Sequence, residues 1–417
     1  MMNDLKPERG EKMVCFMLVS RRWMAWLLFA LAGWAAACAA TTPSSPVATP
    51  SRTSTPGPAS LIPGPTGSPS VSPCVPPSAE PPRESRFPPL DGTGMIAYSN
   101  DGLWLVHPDT GQNVRLHAGL DGAFAWAPDG RRIAFLSYLR LSPCAFAFLM
   151  LADLEAGLVR PLLDRPGLYS RPAWSPDGQH LAYTDADGDL YVLRPGDGSP
   201  RTLRKDAYVA RAIDLHGRPV DRFPTPPKWI DGQRIAYLKQ GPSGNVGGIE
   251  VVSIDRVEAR MRVDGTIWPY DGFAPTPDGK QLIYAHGEEG PLVMVDLVAG
   301  ERTIIMEHAS SPVRIPYEDL QWSPDGLRLI GKTGMAGIVL VERDGTAYRI
   351  SELGALGVPG EAQSWAPDGR RFILIQSEGP SLERLIIYDL TTRQRYPLAV
   401  TTRPPYGAAW NPKGTSR

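Results

Sequence analysis

The sequence predicts an all-β protein, a β-propeller of seven four-stranded blades closed by a strand from the C-terminus. Three observations support this fold class. The 417 residues include 42 Gly and 44 Pro, a composition that disfavours helices and suits short strands joined by turns. A pentapeptide of the form Trp-Ser/Ala-Pro-Asp-Gly recurs along the chain. Each copy is followed by an aliphatic and aromatic run that is typical of a strand.

The repeated pentapeptide predicts a tight turn at one place in every repeat. Its intact copies contain Trp126, Asp129 and Gly130; Trp174, Asp177 and Gly178; Trp322, Asp325 and Gly326; and Trp365, Asp368 and Gly369. Degenerate copies end at Gly232, Gly279 and Gly414, so successive motif glycines are 43 to 54 residues apart. Such a period indicates a solenoid or a propeller. Pro sets φ at the first central position, and Asp and Gly tolerate the remaining angles, so we interpret the motif residues as structural.

The strand count within the repeats favours a closed ring. Each repeat contains an innermost strand, the motif turn, and then three strands. Those beginning at Leu181 and Leu190 are examples of the second and third, and residues 159–162 are an example of the short last strand. Three strands from Met95 onward have no innermost partner, whereas the region around Trp410 supplies an innermost strand with nothing after it. Joining the two fragments completes the first blade and removes the open edges that a solenoid would leave.

Over about residues 94–414 the repeat resembles the TolB-like, WD40-like β-propeller repeat. The resemblance implies a fold more than a function, because propellers of this class include TolB, the substrate-gating domains of prolyl oligopeptidases and many exported bacterial proteins. TolB carries a separate α/β domain before six blades, whereas this sequence predicts a Pro-rich segment before seven. With three residues after Gly414, we do not expect the α/β-hydrolase domain of the oligopeptidases.

Residues 1–38 are predicted to be an export signal. Arg21 and Arg22 precede an uncharged apolar run over 23–37, shorter than the about 20 residues that a membrane span needs. Three alanines lead into Cys38, which resembles a bacterial lipoprotein signal whose Cys is acylated. A plain signal cleaved after Ala and an uncleaved anchor are the alternatives. We expect a membrane lipoprotein that faces the periplasm or the cell exterior.

Residues 39–90 are predicted to be a disordered linker, and residues 91–417 to be the propeller. Between residues 41 and 90 there are 15 Pro and 16 Ser or Thr, too little apolar surface to offset the entropy of ordering. Cys74 in the linker and Cys144 in blade two are the cysteines that remain after Cys15 and Cys38. Because exported proteins meet oxidising conditions, we expect them to form a disulfide, with two unrelated thiols as the alternative.

Few features of the sequence point to catalysis or to a cofactor. The 43 basic and 44 acidic residues nearly cancel, which argues against nucleic acid as a partner. No nucleophile elbow, phosphate-binding loop or zinc-protease motif is present, and the six His are scattered without metal-ligand spacing. Asp185, Asp187 and Asp189 crowd one predicted hairpin and suggest either a calcium site or a solvated tip. We expect no cofactor.

Three enlarged loops predict the ligand side of the propeller. Connections between blades and between the two middle strands share one face, and these loops fall in the middle of the ring. The loops span 207–227, 241–248 and 309–318, and the nearby segment 268–271 enters the same face. Polar and aromatic residues of these segments are the candidates for ligand contact, since binding residues concentrate on loops and Trp, Tyr and Arg favour hot spots. The candidates are Arg211, Asp214, His216, Arg218, Trp268, Tyr270, Asp271, Arg314 and Tyr317. Sequence drift in surface loops is the alternative.

Together these features favour a non-enzymatic, membrane-anchored propeller that binds an envelope protein, a peptide or a glycan as a monomer. One alternative is a hydrolase or lyase with its site in the central funnel. The innermost strands argue against it, because segments such as Ala123-Phe124-Ala125 are mostly small or apolar. A structural scaffold of the envelope is the other alternative.

Overall fold

A computed structural model describes thirteen stretches of the chain, all of which lie within the second of its two units, Pro73–Arg417. The described residues are 77–139, 146–197, 199–213, 219–242, 246–256, 260–264, 272–286, 290–307, 318–332, 338–349, 364–377, 383–401 and 407–414. In these residues the backbone forms strands and turns, as predicted. None of the described stretches contains a helix with the length and hydropathy of a membrane span.

Antiparallel sheets of four strands form the blades, with the innermost strand of each named first. A short strand, β1 (Ser85–Arg86), precedes them. Blade one includes, as its second to fourth strands, β2 (Ile96–Ser99), β3 (Leu103–Val106) and β4 (Asn113–His117). Blade two contains β5 (Leu120–Trp126), β6 (Arg132–Tyr138), β7 (Ala147–Asp153) and β8 (Leu158–Pro161). Blade three contains β9 (Ala173–Trp174), β10 (Leu181–Thr184), β11 (Leu190–Leu193) and β12 (Arg201–Arg204).

A two-stranded hairpin, β13 (Val209–Ile213) and β14 (Pro219–Pro224), follows blade three in the chain and precedes blade four. Blade four contains β15 (Lys228–Trp229), β16 (Arg234–Gln240), β17 (Val246–Ser253) and β18 (Arg260–Asp264). Blade five contains β19 (Phe273–Pro275), β20 (Gln281–Ala285), β21 (Leu292–Asp296) and β22 (Arg302–Met306). Blade six contains β23 (Glu318–Trp322), β24 (Arg328–Lys332), β25 (Ile338–Glu342) and β26 (Ala347–Arg349). Blade seven contains β27 (Ser364–Trp365), β28 (Arg371–Ser377), β29 (Glu383–Asp389) and β30 (Gln394–Thr401).

The last strand, β31 (Gly407–Trp410), closes the ring as predicted. It is the innermost strand of blade one and pairs with β2 from Ile96, opposite Trp410, to Ser99, opposite Gly407. The side-chain amide of Asn411 then donates to the carbonyl oxygens of Gly92 at 2.7 Å and of Gly130 at 2.8 Å. The first and last parts of the propeller are thus joined in one blade, and the prediction of seven blades closed by a C-terminal strand is confirmed.

The hydrophobic core is divided into seven main clusters, one at each seam, the interface between two adjacent blades. Leu105 of blade one packs in one cluster with Phe135 of blade two. At the closing seam, Ile96 and Trp410 of blade one share a cluster with Ile373 of blade seven. Because both surfaces of a blade are covered by neighbours, strands such as β2 and β10 are buried at every position. This explains why their sequences lack the alternation of a half-exposed strand.

The connections between strands define two faces of the ring. The turn face carries the turns between first and second strands, such as 127–131, and those between third and fourth strands. The loop face carries the connections between second and third strands, such as 185–189, and those between blades. In the motif turn, the Gly130 amide donates to the Ala127 carbonyl at 2.9 Å, and Gly130 has φ of 70°, which favours glycine. The Asp129 carboxylate accepts the Arg131 amide at 2.8 Å and fixes the turn.

The chain joins blade two before residue 91, within the predicted linker. Strand β1 adds a fifth strand to the outer edge of blade two, where Ser85 pairs with Val159 of β8. The Phe87 amide donates to the Gly157 carbonyl at 3.0 Å, and the Phe87 side chain is buried between blades one and two. Since β1 is antiparallel to β8, residues that precede β1 leave it at the loop face of blade two.

Cys74 and Cys144 both lie outside the described residues, so the predicted disulfide between them stays a prediction. In the chain, Cys144 falls between β6 and β7. We expect no free thiol in the denatured, unreduced mature protein and one in Cys144→Ser. The crosslink would close a loop of about 70 residues, for which chain entropy gives an upper limit of about 4 kcal/mol. Two free thiols before reduction would contradict the bridge.

Candidate functional site

On the turn face, the polar groups of the motif are engaged in contacts between blades. The indole Nε1 of Trp174 donates to the Ala125 carbonyl of the preceding blade at 3.1 Å. In the opposite direction, Arg132 Nη2 donates to the Gly178 carbonyl of the following blade at 3.1 Å. The Arg132 guanidinium lies 4.9 Å from the Trp174 ring centroid, and Asp129 Oδ2 holds it at 2.7 Å. These groups hold the ring together.

The same indole bond recurs around the ring, from Trp126 to Ala409, Trp229 to Ala173, Trp322 to Ala274 and Trp365 to Gln321. Blade five has Pro275 where the others have Trp. At that seam Lys228 Nζ donates to the Phe273 carbonyl at 2.7 Å and lies over the Phe273 ring. A lysine of the preceding blade therefore joins this seam by a different hydrogen bond, which runs in the opposite direction to the indole bond.

The seam between blades three and four has a histidine at the position where blades two, four, six and seven have an arginine. His180 stands two residues after the motif glycine, as Arg132 does in blade two. Its ring stacks on Trp229 with centroids 6.1 Å apart, and Arg194 Nε donates to its Nε2 at 3.2 Å. Burial, followed by the charge of Arg194, lowers the pKa of His180. The native seam therefore favours the neutral imidazole.

We expect mild acid to weaken this seam. The pKa of His180 is lower in the folded chain, so the unfolded chain binds the proton more readily. The contribution of His180 to stability is therefore complete above about pH 6.5 and is lost as the pH falls below that value. Thermal unfolding of the wild type and of His180→Gln at pH 7.5 and 5.5 measures this contribution. The variant should lose less stability on acidification. An equal loss in both proteins would contradict the assignment.

On the loop face, the chain just before β13 is fixed to blade four. These residues, 206–208, form the first foot of the β13–β14 hairpin. The Tyr208 amide donates to the Leu238 carbonyl at 2.7 Å, and the Gln240 amide donates to the Asp206 carbonyl at 2.7 Å. These bonds extend the end of β16 by one short stretch of sheet. The chain therefore enters the hairpin from a backbone position that blade four holds.

The second foot of the hairpin, Thr225 directly after β14, is fixed to blade three. Thr184 Oγ1, at the end of β10, donates to the Thr225 carbonyl at 2.6 Å, and Thr184 is fully buried. Thr225 Oγ1 donates in turn to the Tyr208 carbonyl of the first foot at 2.8 Å. The two feet are thus joined to each other and to two blades, a rigid base for a loop-face element.

A partly buried polar network lies beside the first foot. The Tyr237 hydroxyl is 2.9 Å from Asp206 Oδ1 and 3.0 Å from Glu250 Oε2. Lys239 Nζ lies 2.9 Å from Glu250 Oε1 and 3.3 Å from Asp206 Oδ2. Burial and then the two carboxylates raise the pKa of Tyr237, so the phenol stays protonated and donates. Hydrogen bonding to Glu250 raises the pKa of Lys239, so one cation is held between two carboxylates.

Sequence reasoning did not single out this network, because its members are spread over 45 positions of the chain. A local signal was present in β16, where Tyr237 and Lys239 are two residues apart and so share one face of the strand. Glu250 is the cross-strand partner of Tyr237 in β17. Only the register shows that a carboxylate stands opposite the phenol.

The acidic hairpin of blade three lies on the same face, and its first carboxylate shapes the turn. Asp185 Oδ1 accepts the amides of Asp187 at 3.0 Å and of Asp189 at 2.9 Å. Asp189 Oδ2 is 3.4 Å from Lys205 Nζ. Burial raises the pKa of Asp185 despite these backbone bonds. Over the described stretches, no three His, Cys, Asp or Glu side chains are grouped so as to hold a metal ion.

A histidine–aspartate pair lies where blade one connects to blade two. His117 Nδ1 is 2.7 Å from Asp121 Oδ2, and the Asp121 side chain is fully buried while that of His117 is 13% exposed. Asp121 Oδ1 has no hydrogen-bond partner among the described residues. A Cβ at Gly119 would lie 3.2 Å from Asp121 Oδ1 and 3.3 Å from Ser137 Oγ, so glycine lets the connection pass over this cluster. Sequence reasoning treated His117 as one of six scattered histidines.

The structure leaves the predicted ligand-contact residues untested. Asp214, His216, Arg218, Trp268, Tyr270, Asp271, Arg314 and Tyr317 lie outside the described residues, as does Cys38. Arg211 is placed by its backbone alone, in β13. Their assignment to a ligand surface stays a prediction.

The comparisons with known proteins relate parts of this chain to peptidases. No protein-family model matches it. It is 28% identical over 270 residues to tricorn protease homolog 1 of Streptomyces coelicolor, a match that covers 59% of this chain and 23% of the relative. It is 35% identical over 187 residues to the uncharacterized peptidase YuxL of Bacillus subtilis, covering 44% of this chain and 24% of the relative. The chain thus spans about a quarter of the length of these relatives.

Among solved structures, TolB from Acinetobacter baumannii is similar at 16% identity and a TM-score of 0.48, over 78% of this chain and 68% of that one. The fold itself carries the classification. Seven four-stranded sheets follow one another around the ring, and the Trp-Ser/Ala-Pro-Asp-Gly turn recurs at the same place in them. The chain is therefore a seven-bladed β-propeller whose turn motif resembles the TolB-like, WD40-like repeat.

Proposed function

We propose that this chain is a non-enzymatic, membrane-anchored propeller that binds a protein, peptide or glycan outside the cytoplasm through its loop face. One observation carries the proposal, the difference between the two faces. On the turn face, the motif Trp, Arg and Asp side chains are used to join the blades, as Arg132 and Trp174 illustrate. On the loop face, an extra hairpin stands on a fixed base beside titratable side chains. Such grafted elements on a rigid scaffold are where binding function is found.

The sequence relatives support a polypeptide ligand within this proposal. Both are named as a protease homolog or a peptidase, and this chain matches about a quarter of each. A propeller segment shared with such proteins is consistent with a surface that binds peptides. The proposal for this chain is binding without cleavage.

Binding to the loop face is tested with the full-length protein, purified in detergent and probed against a peptide library and a glycan array. The loop-face variant replaces residues 210–223 with a short Gly-Ser linker and keeps both feet of the hairpin. The turn-face control is Arg370→Glu, an exposed side chain beside a motif turn. We expect the loop-face variant to lose at least tenfold in affinity for any ligand found, and the control to keep it. Equal effects of both changes, or no ligand in either screen, would refute the proposal.

Membrane attachment is tested through Cys38, the predicted site of acylation. Cys38→Ser should move the protein from the membrane fraction to the soluble fraction, because the lipid on this residue is the proposed anchor. Cys74→Ser serves as the matched control and should stay with the membrane. If Cys38→Ser still fractionates with membrane, the apolar run over 23–37 is an uncleaved anchor.

The pair His117 and Asp121 favours a hydrolase as the second candidate function. A buried carboxylate that holds Nδ1 of an imidazole leaves Nε2 for acid–base chemistry, and Ser137 Oγ borders the same space. Screening the wild type, His117→Gln and Ser137→Ala against chromogenic ester and peptide substrates tests this candidate. Turnover that both substitutions abolish would support an enzyme over a binding protein.

A further inference from the structure

The β13–β14 hairpin belongs to no blade. Among the described strands, β13 and β14 pair only with each other, with Val209 opposite Pro224 at the base. The hairpin connects the outermost strand of blade three to the innermost strand of blade four, so it belongs to the loop face. An inserted hairpin of this kind does not help to close the ring. Ring closure therefore does not explain why the hairpin is present.

The base of the hairpin is held by neighbouring blades on both sides. Its first foot bonds to β16 through Tyr208 and Asp206, and its second foot accepts a hydrogen bond from Thr184 of β10 at 2.6 Å. The Asp206 carboxylate is engaged by Tyr237 at 2.9 Å and by Lys239 at 3.3 Å. The base of the hairpin is therefore held in a fixed position, which reduces the entropy cost of binding.

The register of the hairpin places two like charges opposite each other. Arg211 of β13 and Arg222 of β14 are cross-strand partners. Like charges at directly opposed positions destabilise an antiparallel pair. Asp221 is the one acidic residue of the two strands, and its partner is Ala212. Because successive strand residues belong to opposite faces, Asp221 is on the other face of the ribbon from the two arginines.

The two strands differ in what they offer to a further strand. Strand β14 begins and ends with proline, Pro219 and Pro224, which have no amide hydrogen to donate. Strand β13 contains no proline, so all five of its residues have an amide hydrogen and a carbonyl. An added strand is thus better accommodated beside β13.

From these observations we propose that the hairpin is the docking site for an extended acidic segment of a partner protein. The segment pairs with β13 as an added strand, and its carboxylates engage Arg211 and Arg222. Guanidinium groups suit this role because their planar donors match a carboxylate with two hydrogen bonds. A polypeptide is favoured over an anionic glycan because only a peptide backbone matches the alternating donors and acceptors of a strand edge. The inference rests on the proposed binding function and names its partner.

Fluorescence anisotropy with a labelled Glu-Thr decapeptide tests the inference on the full-length protein. The wild type should bind it with an affinity that falls as salt rises, and Arg211→Glu should weaken binding at least tenfold. Arg211→Glu should keep or raise the melting temperature, because Glu opposite Arg222 replaces a repulsive pair with an attractive one. Arg370→Glu on the turn face should leave binding unchanged. Reversal of both hairpin arginines should transfer the preference to a Lys-Thr decapeptide.

Several results would overturn the inference. One is failure of the wild type to bind the acidic peptide, and another is equal binding by Arg211→Glu. Binding of an oligogalacturonate probe, without binding of the peptide, would show that the hairpin recognises an anionic glycan and would refute the proposed polypeptide partner. If the library or array yields a loop-face ligand that Arg211→Glu binds normally, the proposed function stands and this inference fails. If neither screen yields a ligand, both fail.

Discussion

Deletion of residues 404–417 is expected to destabilise the whole propeller rather than to fray one end of it. The deletion removes β31, which supplies the innermost strand of blade one and pairs with all four residues of β2. It also removes Trp410, a buried member of the closing seam. Loss of a buried Trp alone costs about 3–5 kcal/mol, and the unpaired edge of β2 adds to this. Thermal unfolding followed by circular dichroism should show a melting temperature lower by more than roughly 10 °C.

The deletion of residues 415–417 is the matched control, because it removes the last three residues and leaves β31 intact. That protein should melt like the wild type. Hydrogen exchange distinguishes global from local loss, since a closed ring that opens should lose protection in blade four as well as in blade one. A 404–417 deletion that melts at the wild-type temperature would contradict closure by the C-terminal strand.

Trp174→Ala is expected to be the most destabilising single substitution at the seam between blades two and three. The Trp174 side chain is 8% exposed, its Nε1 donates to Ala125, and its ring carries the Arg132 guanidinium at 4.9 Å. The substitution removes packing, a hydrogen bond and a cation–π contact together, a loss of about 3–5 kcal/mol. Denaturant unfolding should report a lower midpoint.

Trp174→Phe separates the hydrogen bond from the packing. It keeps an aromatic ring but has no indole donor, so its cost should be about 1–2 kcal/mol, the value for an unpaired buried carbonyl. Tyr396→Ala is a control at an aromatic side chain that is 43% exposed, and it should be nearly neutral. If Trp174→Ala were no more destabilising than Tyr396→Ala, the motif Trp would not hold the blades together.

The repeating turn made most of the fold predictable from the sequence. Pro128, Asp129 and Gly130 act locally, because a fixed φ, a side chain that accepts a nearby amide and a residue that tolerates φ of 70° define a turn within five positions. The same local pattern seven times, with strands between, leaves few alternatives to a ring. The missing innermost strand of the first repeat and the unmatched one around Trp410 made the closure predictable too.

Parts of the candidate site were not predictable, because they depend on register between distant residues. The loop over 207–227 was seen as enlarged, but the pairing of Arg211 with Arg222 follows only from the hairpin register. Ser85 and Arg86 form a strand because β8 has a free edge to pair with, and two polar residues in a Pro-rich segment give no strand signal of their own. His117 and Asp121 are four residues apart, yet their contact requires blades one and two to meet.

The turns, the strands between them, the number of blades and the closure of the ring could all be predicted from the amino-acid sequence. Each of these rests on interactions within a few residues or on a count of repeats. The tertiary structure alone decided which side chains meet at the seams and on the loop face. His180 stacks on Trp229, 49 positions away, and Tyr237 lies between Asp206 and Glu250. Burial and charge act through space, so pKa values and binding surfaces emerge only once the blades pack.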